Sequence, residues 1–196
     1  MPDAIAEINQ FWFGELDEAG LAAADRHRLW FAASPATDVT IRDRFGERVD
    51  LALAGDLADW DQRDDGLIAL VLLLDQFTRN IYRGTPRAFA GDARALELAQ
   101  RAINSGRYQR LPAIHQVFLY LPLEHSEDLD TQDECVALFE MLAGVTGDPG
   151  IADFGRYARA HREVIARFGR FPHRNAILGR QSRPEEQDYL RVHGGF

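Results

Sequence analysis

The chain contains no lysine, so every fixed side-chain cation is an arginine. The bias reads first as compositional. Its consequence is that each cation is a planar fork suited to carboxylate or phosphate. Cysteine is nearly absent too. Cys135 stands alone, which excludes an intrachain disulfide and fits a reducing compartment. It sits in CVALFEML at helical spacing, where it reads as a small buried hydrophobe. Long apolar runs are missing: the longest, Leu67 to Leu74, falls far short of a membrane span. The opening MPDAIAEINQFWFG has an early acid and no basic stretch before an apolar one, so it does not read as a secretory leader. A soluble, cytoplasmic protein without a membrane partner is expected. The net charge of −9 disfavours a nucleic-acid partner, because phosphate binding needs basic surface. No HExxH, CxxC, GxSxG, phosphate loop or dinucleotide fingerprint occurs, so no cofactor is expected. His115, His125, His161 and His173 have acids nearby, but their spacings match no ligand pattern, and no metal is expected.

What is present is helical periodicity. Convincing alternating strands are lacking, and 196 residues with 46% hydrophobic content suit one domain over residues 1–196 with a real core. Ile5, Ile8, Phe11 and Trp12 share a helix face that ends near Gly14. A second helix is expected over Leu21 to Phe31, stopped by Ser34-Pro35. Thr37 or Asp38 is expected to cap a third, carrying Val39, Ile41, Phe45, Val49 and Leu53. Asp64 would cap a fourth that runs through the apolar block into DQFTRNIY. Thr85-Pro86 reads as the start of a helix that includes DARALELAQRAI. Another opens at Pro112 and must end or kink within the turn before Pro122. Ser126, and a box over Thr131 to Glu134, read as starts for CVALFEML. A long amphipathic helix spans Ile151 to Phe168, and a box over Ser182 to Glu185 opens a short last one. The expectation is an all-α fold of about eight to ten helices in stacked antiparallel hairpins, a tetratricopeptide-like right-handed superhelix without a strict repeat.

Four segments carry candidate chemistry. In LLLDQFTRNIYR, Asp75 and Arg79 are four apart and extend a buried stripe. That is either an ordinary acid–base pair or an arginine held rigid for an anion. In FLYLPLEHSEDL, the acids after Ser126 suit a helix start, whereas Glu124 and His125 stand at a break beside apolar residues. His161 lies on the apolar face of its helix. In FGRFPHRNAILGR, His173, Arg174 and Asn175 precede a short apolar segment, an arrangement suited to cradling an anion. From Ile151 to Arg183 there are eight arginines against Asp153 and Glu163; the plainer reading is a surface patch pairing with acids elsewhere.

These blocks, LLLDQFTRNIYRG, FLYLPLEHSEDL and HREVIARFGRFPHRNAILGR, resemble the signature blocks of a bacterial family, domain-of-unknown-function family 924. The leading FWFG, the Trp30-Phe31 pair and AGDLADW are similar as well, so the resemblance covers about Phe11 to Tyr189. It implies an all-helical, tetratricopeptide-like fold and implies no activity. One departure is Thr78, where the family block usually has proline; the helix is expected to continue further here.

The blocks DQFTRN, LEHSE and FPHRN are expected to converge on one cleft. The leading expectation is a binding module for a small anionic molecule or a peptide carboxylate. Asp75 would orient Arg79, and Arg174, His125, His173, His161 and Asn175 would line the site with Phe77, Phe118 and Phe171 as walls. A hydrolase is the first alternative, with His125 or His173 as general base, Glu124 or Glu127 orienting it, and Arg79 or Arg174 as clamp. The second is a polar network that only fixes packing.

Overall fold

A computed structural model describes residues 3–32 and 34–195. Among these the chain is all-α, with one isolated bridge between Leu16 and Ala22 as its extended pairing. It divides into two compact units. The first comprises residues 1–83 and 87–122, the second residues 84–86 and 123–196.

The first unit begins with α1 (Ala4–Phe13), capped by the Asp3 carboxylate on the Ile5 N–H. Helix α2 (Arg26–Phe31) is shorter than the periodicity suggests. The residues before it are held in a turn, with Asp17 Oδ1 accepting from the Ala19 and Leu21 N–H groups. Helix α3 (Pro35–Ala54) starts earlier than expected, because Ser34 takes the capping role and accepts from the Thr37 N–H. Helix α4 (Asp64–Val71) runs into a π-helical segment, Leu72–Phe77, and then α5 (Thr78–Ile81). The helix does continue past Thr78, whose hydroxyl donates to the Leu74 carbonyl at 2.7 Å. Pro86 begins only a single 3-10 turn, and α6 (Asp92–Asn104) starts later. Helix α7 (Ala113–Glu124) keeps Pro122 inside it and carries the chain on to the second unit. Of the two expectations for Pro122, an end or a kink, the end is overridden.

Aromatic rings fill the first unit. Phe77 meets Phe45 at 5.2 Å and Trp12 at 5.3 Å, while Phe118 meets Phe13 at 5.2 Å and Trp30 at 4.9 Å. Trp30 also donates from Nε1 to the Trp12 carbonyl at 3.0 Å. This is why the FWF and WF clusters occur: their rings interlock edge to face. Phe77 and Phe118 are fully packed core, so they do not wall a cleft.

The second unit is built on an antiparallel pair, α8 (Leu129–Thr146) and α9 (Pro149–Phe168). The turn between them is compact: Gly147 ends α8 in the left-handed region and Asp148 caps α9 on the Ile151 N–H. Asp128, not Ser126 or Thr131, caps α8, accepting from both the N–H and the hydroxyl of Thr131. Ser126 instead accepts from the Asp128 N–H in the preceding turn. Cys135, Phe139 and Phe154 pack inside, and burial raises the Cys135 thiol pKa. A 3-10 turn, Pro172–Arg174, precedes α10 (Pro184–His193). The α10 start lies one residue beyond the expected box: Glu186 accepts from the Arg183 N–H at 2.7 Å.

Candidate functional site

Asp75 and Arg79 belong to the first unit; His125, His161, His173, Arg174 and Asn175 belong to the second. In the first unit, helical spacing does bring Asp75 and Arg79 together. Arg79 Nη1 lies 3.1 Å from the Asp75 carboxylate and donates to the Asp75 carbonyl at 2.8 Å. A second carboxylate, Asp92 at the start of α6, takes both guanidinium nitrogens at 2.8 and 3.1 Å. Asp92 can reach because Gly91 lies against the π segment; a Cβ there would overlap the Leu74 carbonyl oxygen. Burial opposes the Arg79 charge, but Asp75 and Asp92 outweigh it and raise its pKa. Asp75 is wholly buried and also accepts from Gln76 at 2.6 Å. A guanidinium clasped by two acids offers little to an incoming anion.

The second unit gathers a different set of side chains. Phe171 is fully buried at the end of the link that follows α9. The Arg174 guanidinium lies over its ring at 4.5 Å, with His173 at 5.6 Å and His161 at 5.5 Å between ring centres. His125 lies 6.5 Å from His161. The last residue of α7 completes the group, with Glu124 Oε1 3.2 Å from His161 Nδ1. That nitrogen also lies 2.9 Å from the Tyr157 carbonyl, which can only accept. In the neutral ring the proton therefore sits on Nδ1, and Nε2 is the nitrogen that gains one. Burial pushes His161 down to about 3, aided by the charges of His125, His173 and Arg174. Burial, then Arg174 and His125, push His173 down to about 4. His125 and His173 are half-buried, whereas His161 and Arg174 are nearly enclosed.

Neighbouring residues hold this group in place. Arg180 grips Glu127 through Nη1 and Nη2 at 2.6 and 3.0 Å and donates to the Phe171 carbonyl. Glu127 accepts in turn from the Phe171 N–H at 2.8 Å. Burial opposes the Glu127 charge, yet Arg180 and that N–H carry its pKa downward. Asn175 is buried in the same framework, between Ser182, Arg180 and Glu186. Glu186 has no exposed surface and is bound by Arg170 and Arg183, with Arg170 first in holding its carboxyl well below the usual range.

Sequence reasoning missed Asp92, Glu186 and Arg180. The expected capping box ended on Glu185, one residue short of Glu186. The local arginine excess resolves mostly into pairs, among them Arg162–Asp133 and Arg159–Glu140. Glu124 stands against His161, and Glu127 is bound to Arg180. Among the described residues, no group of three or more His, Cys, Asp or Glu is placed to hold a metal ion. No helix among them is long and apolar enough to cross a membrane.

Fold and site together define a helical protein with an imidazole- and guanidinium-rich cluster around one buried ring. The chain belongs to the bacterial family of unknown function DUF924, whose model matches residues 8–194. It is similar to the solved structure of ATU0120 from Agrobacterium tumefaciens, a protein of unknown function. That chain is 37% identical with a TM-score of 0.80, and the match covers 96% of this chain and 97% of that one. No curated protein matches.

Proposed function

We propose that the second unit carries a binding site for an anionic group, a small molecule's or a peptide's, at His125, His161, His173 and Arg174. The observation that carries this reading is the gathering of His161, His173 and the Arg174 guanidinium around the Phe171 ring, with His125 beside His161. Arg174 supplies the fixed charge and the imidazoles supply N–H donors. The enclosed Phe171 ring lies against the guanidinium and restrains it, which lowers the ordering cost of binding. Asn175, Glu127 and Arg180 act by fixing the loop that bears His173 and Arg174. Asp75 and Arg79 fit the structural role instead, since two carboxylates already bind the one cation. A tetratricopeptide-like stacking of hairpins in a soluble, cytoplasmic protein belongs to the same proposal; α8 and α9 supply one such hairpin.

A second reading has one observation in its favour. The Glu124–His161 pair is a carboxylate–imidazole dyad of the kind that moves protons. In that case His161, rather than His125 or His173, is the ring the carboxylate orients. The test of the main reading is calorimetric titration of the protein with acetate and with inorganic phosphate at millimolar concentration. Binding to the wild type that is lost in Arg174→Gln, with a cooperative melt retained, is the expected result. Failure of both anions to bind, or binding that survives Arg174→Gln, overturns it.

A further inference from the structure

The charge of the imidazole cluster is not fixed. The groups that face it come from five places. Glu124 ends α7, and His125 and Glu127 follow it. Glu134 and Cys135 stand on α8, where Cys135 remains a thiol because burial raises its pKa. His161 comes from α9, and His173 and Arg174 from the 3-10 turn. Arg180 lies beyond, bound to Glu127. Glu127 and Arg180 cancel, and Glu124 and Arg174 carry opposite charges that also cancel. With neutral imidazoles, these four groups leave no positive excess, and Glu134 adds one negative charge. Each proton taken up then adds one positive charge in a buried setting.

We infer that this site takes a multiply charged oxyanion of the phosphate or sulfate type, and that binding draws protons onto His125, His161 and His173. The inference rests on the anion-site reading above and adds the ligand's charge and its coupling to protons. Rings this close cannot all become cations without a counter-charge, because each disfavours the next. A monoanion offsets one such charge, whereas a dianion offsets two. Burial, then the charges of the neighbouring groups, keep His161 and His173 neutral at neutral pH. An oxyanion among them reverses that balance. On His161 the proton arrives at Nε2, since Nδ1–H already serves the Tyr157 carbonyl and Glu124. Both nitrogens are then donors. No bond to the ligand forms or breaks; the reaction is anion plus protons plus protein.

Linkage fixes the sign. A group whose pKa rises on binding makes affinity grow as pH falls, by about tenfold per pH unit for each proton taken up. Sulfate is the probe, because it remains a dianion from weakly acid to weakly basic pH. Its binding is measured by calorimetry near pH 5.5 and near pH 7.5, in buffers of different ionisation enthalpy. Expected are at least tenfold tighter binding at the lower pH, net proton uptake, and weaker binding of acetate. His125→Asn and His173→Asn, at half-buried positions, should reduce the uptake and flatten the pH dependence. Sulfate binding equal at both pH values, with no proton uptake, overturns the inference and leaves the anion site standing. No binding of sulfate or phosphate at either pH overturns both. Proton uptake unchanged in both histidine variants also overturns it, since the protons then go elsewhere.

Discussion

Arg79 and Arg174 are both largely enclosed guanidiniums, yet their surroundings are opposite in kind. Arg79 sits between two carboxylates, one from its own helix and one from α6. Arg174 lies on an aromatic face beside His161 and His173, with Glu127 near enough to feel its charge. The first arrangement is electrostatically complete without a ligand. The second has a charge that depends on protons and on whatever anion enters. Burial alone therefore does not mark a functional arginine; the sign and adjustability of its neighbours do.

The sharpest break of that comparison comes from Asp75→Ala. Removing a wholly buried carboxylate leaves Arg79 with Asp92 alone, and a loss of about 3–5 kcal/mol in urea unfolding is expected. A loss below about 1 kcal/mol would show that Arg79 does not depend on Asp75, and the structural assignment would fall. Gly91→Ala tests how Asp92 gets there. Its Cβ must displace the Leu74 carbonyl of the π segment, and overpacking of this sort costs about 1–3 kcal/mol. The melt should drop, and the substitution combined with Asp92→Asn should cost less than the sum of the two, since both act on one contact.

Much of this was legible from spacing. Asp75 and Arg79 share a face because they are four residues apart, and Ile8, Trp12, Ile41 and Phe45 are buried where periodicity puts them. Spacing cannot report partners distant in the chain. Asp92 reaches Arg79 only through the close approach at Gly91, and Glu186 reaches Arg170 only after the chain folds back through α10. The starts of α2 and α6 came five and six residues later than expected, from Leu21 to Arg26 and from Pro86 to Asp92, whereas the start of α8 was misplaced by two or three for a local reason. Where Ser126, Asp128 and Thr131 all offer oxygens, the backbone chooses the residue already extended, and that is Asp128. Pro122 did not stop its helix, although it sits in the interior of α7.

Acid titration separates the two regions in another way. His161 and His173 have folded pKa values of about 3 and about 4, below the ordinary 6.5. For a depressed histidine, the unfolded chain binds protons first. Stability is therefore complete above about pH 6.5 and is lost as pH falls toward the folded value, at about 1 kcal/mol per pH unit per ring. His115 in the first unit, lowered to about 4 by burial, contributes the same trend. Sulfate should restore the part due to the imidazole cluster and leave the His115 part untouched. Chemical unfolding at several pH values, with and without sulfate, reads both. A fall in stability that sulfate does not alter would remove the distinction between the two regions.

The smallest expected effect on stability is the most informative about function. Arg174→Gln removes a cation from the Phe171 face, which is worth about 1 kcal/mol. Arg79→Gln removes the cation that two carboxylates share, and should cost several times more, about 3 kcal/mol or beyond. The contrast is expected to invert for binding. Arg174→Gln should abolish the anion response while the fold persists, and Arg79→Gln, measured where it remains folded, should keep it. Paired urea titrations and phosphate calorimetry on the two variants decide the matter. If the two substitutions cost the same stability and neither affects anion binding, both arginines are packing devices, and the difference in their surroundings has no functional content.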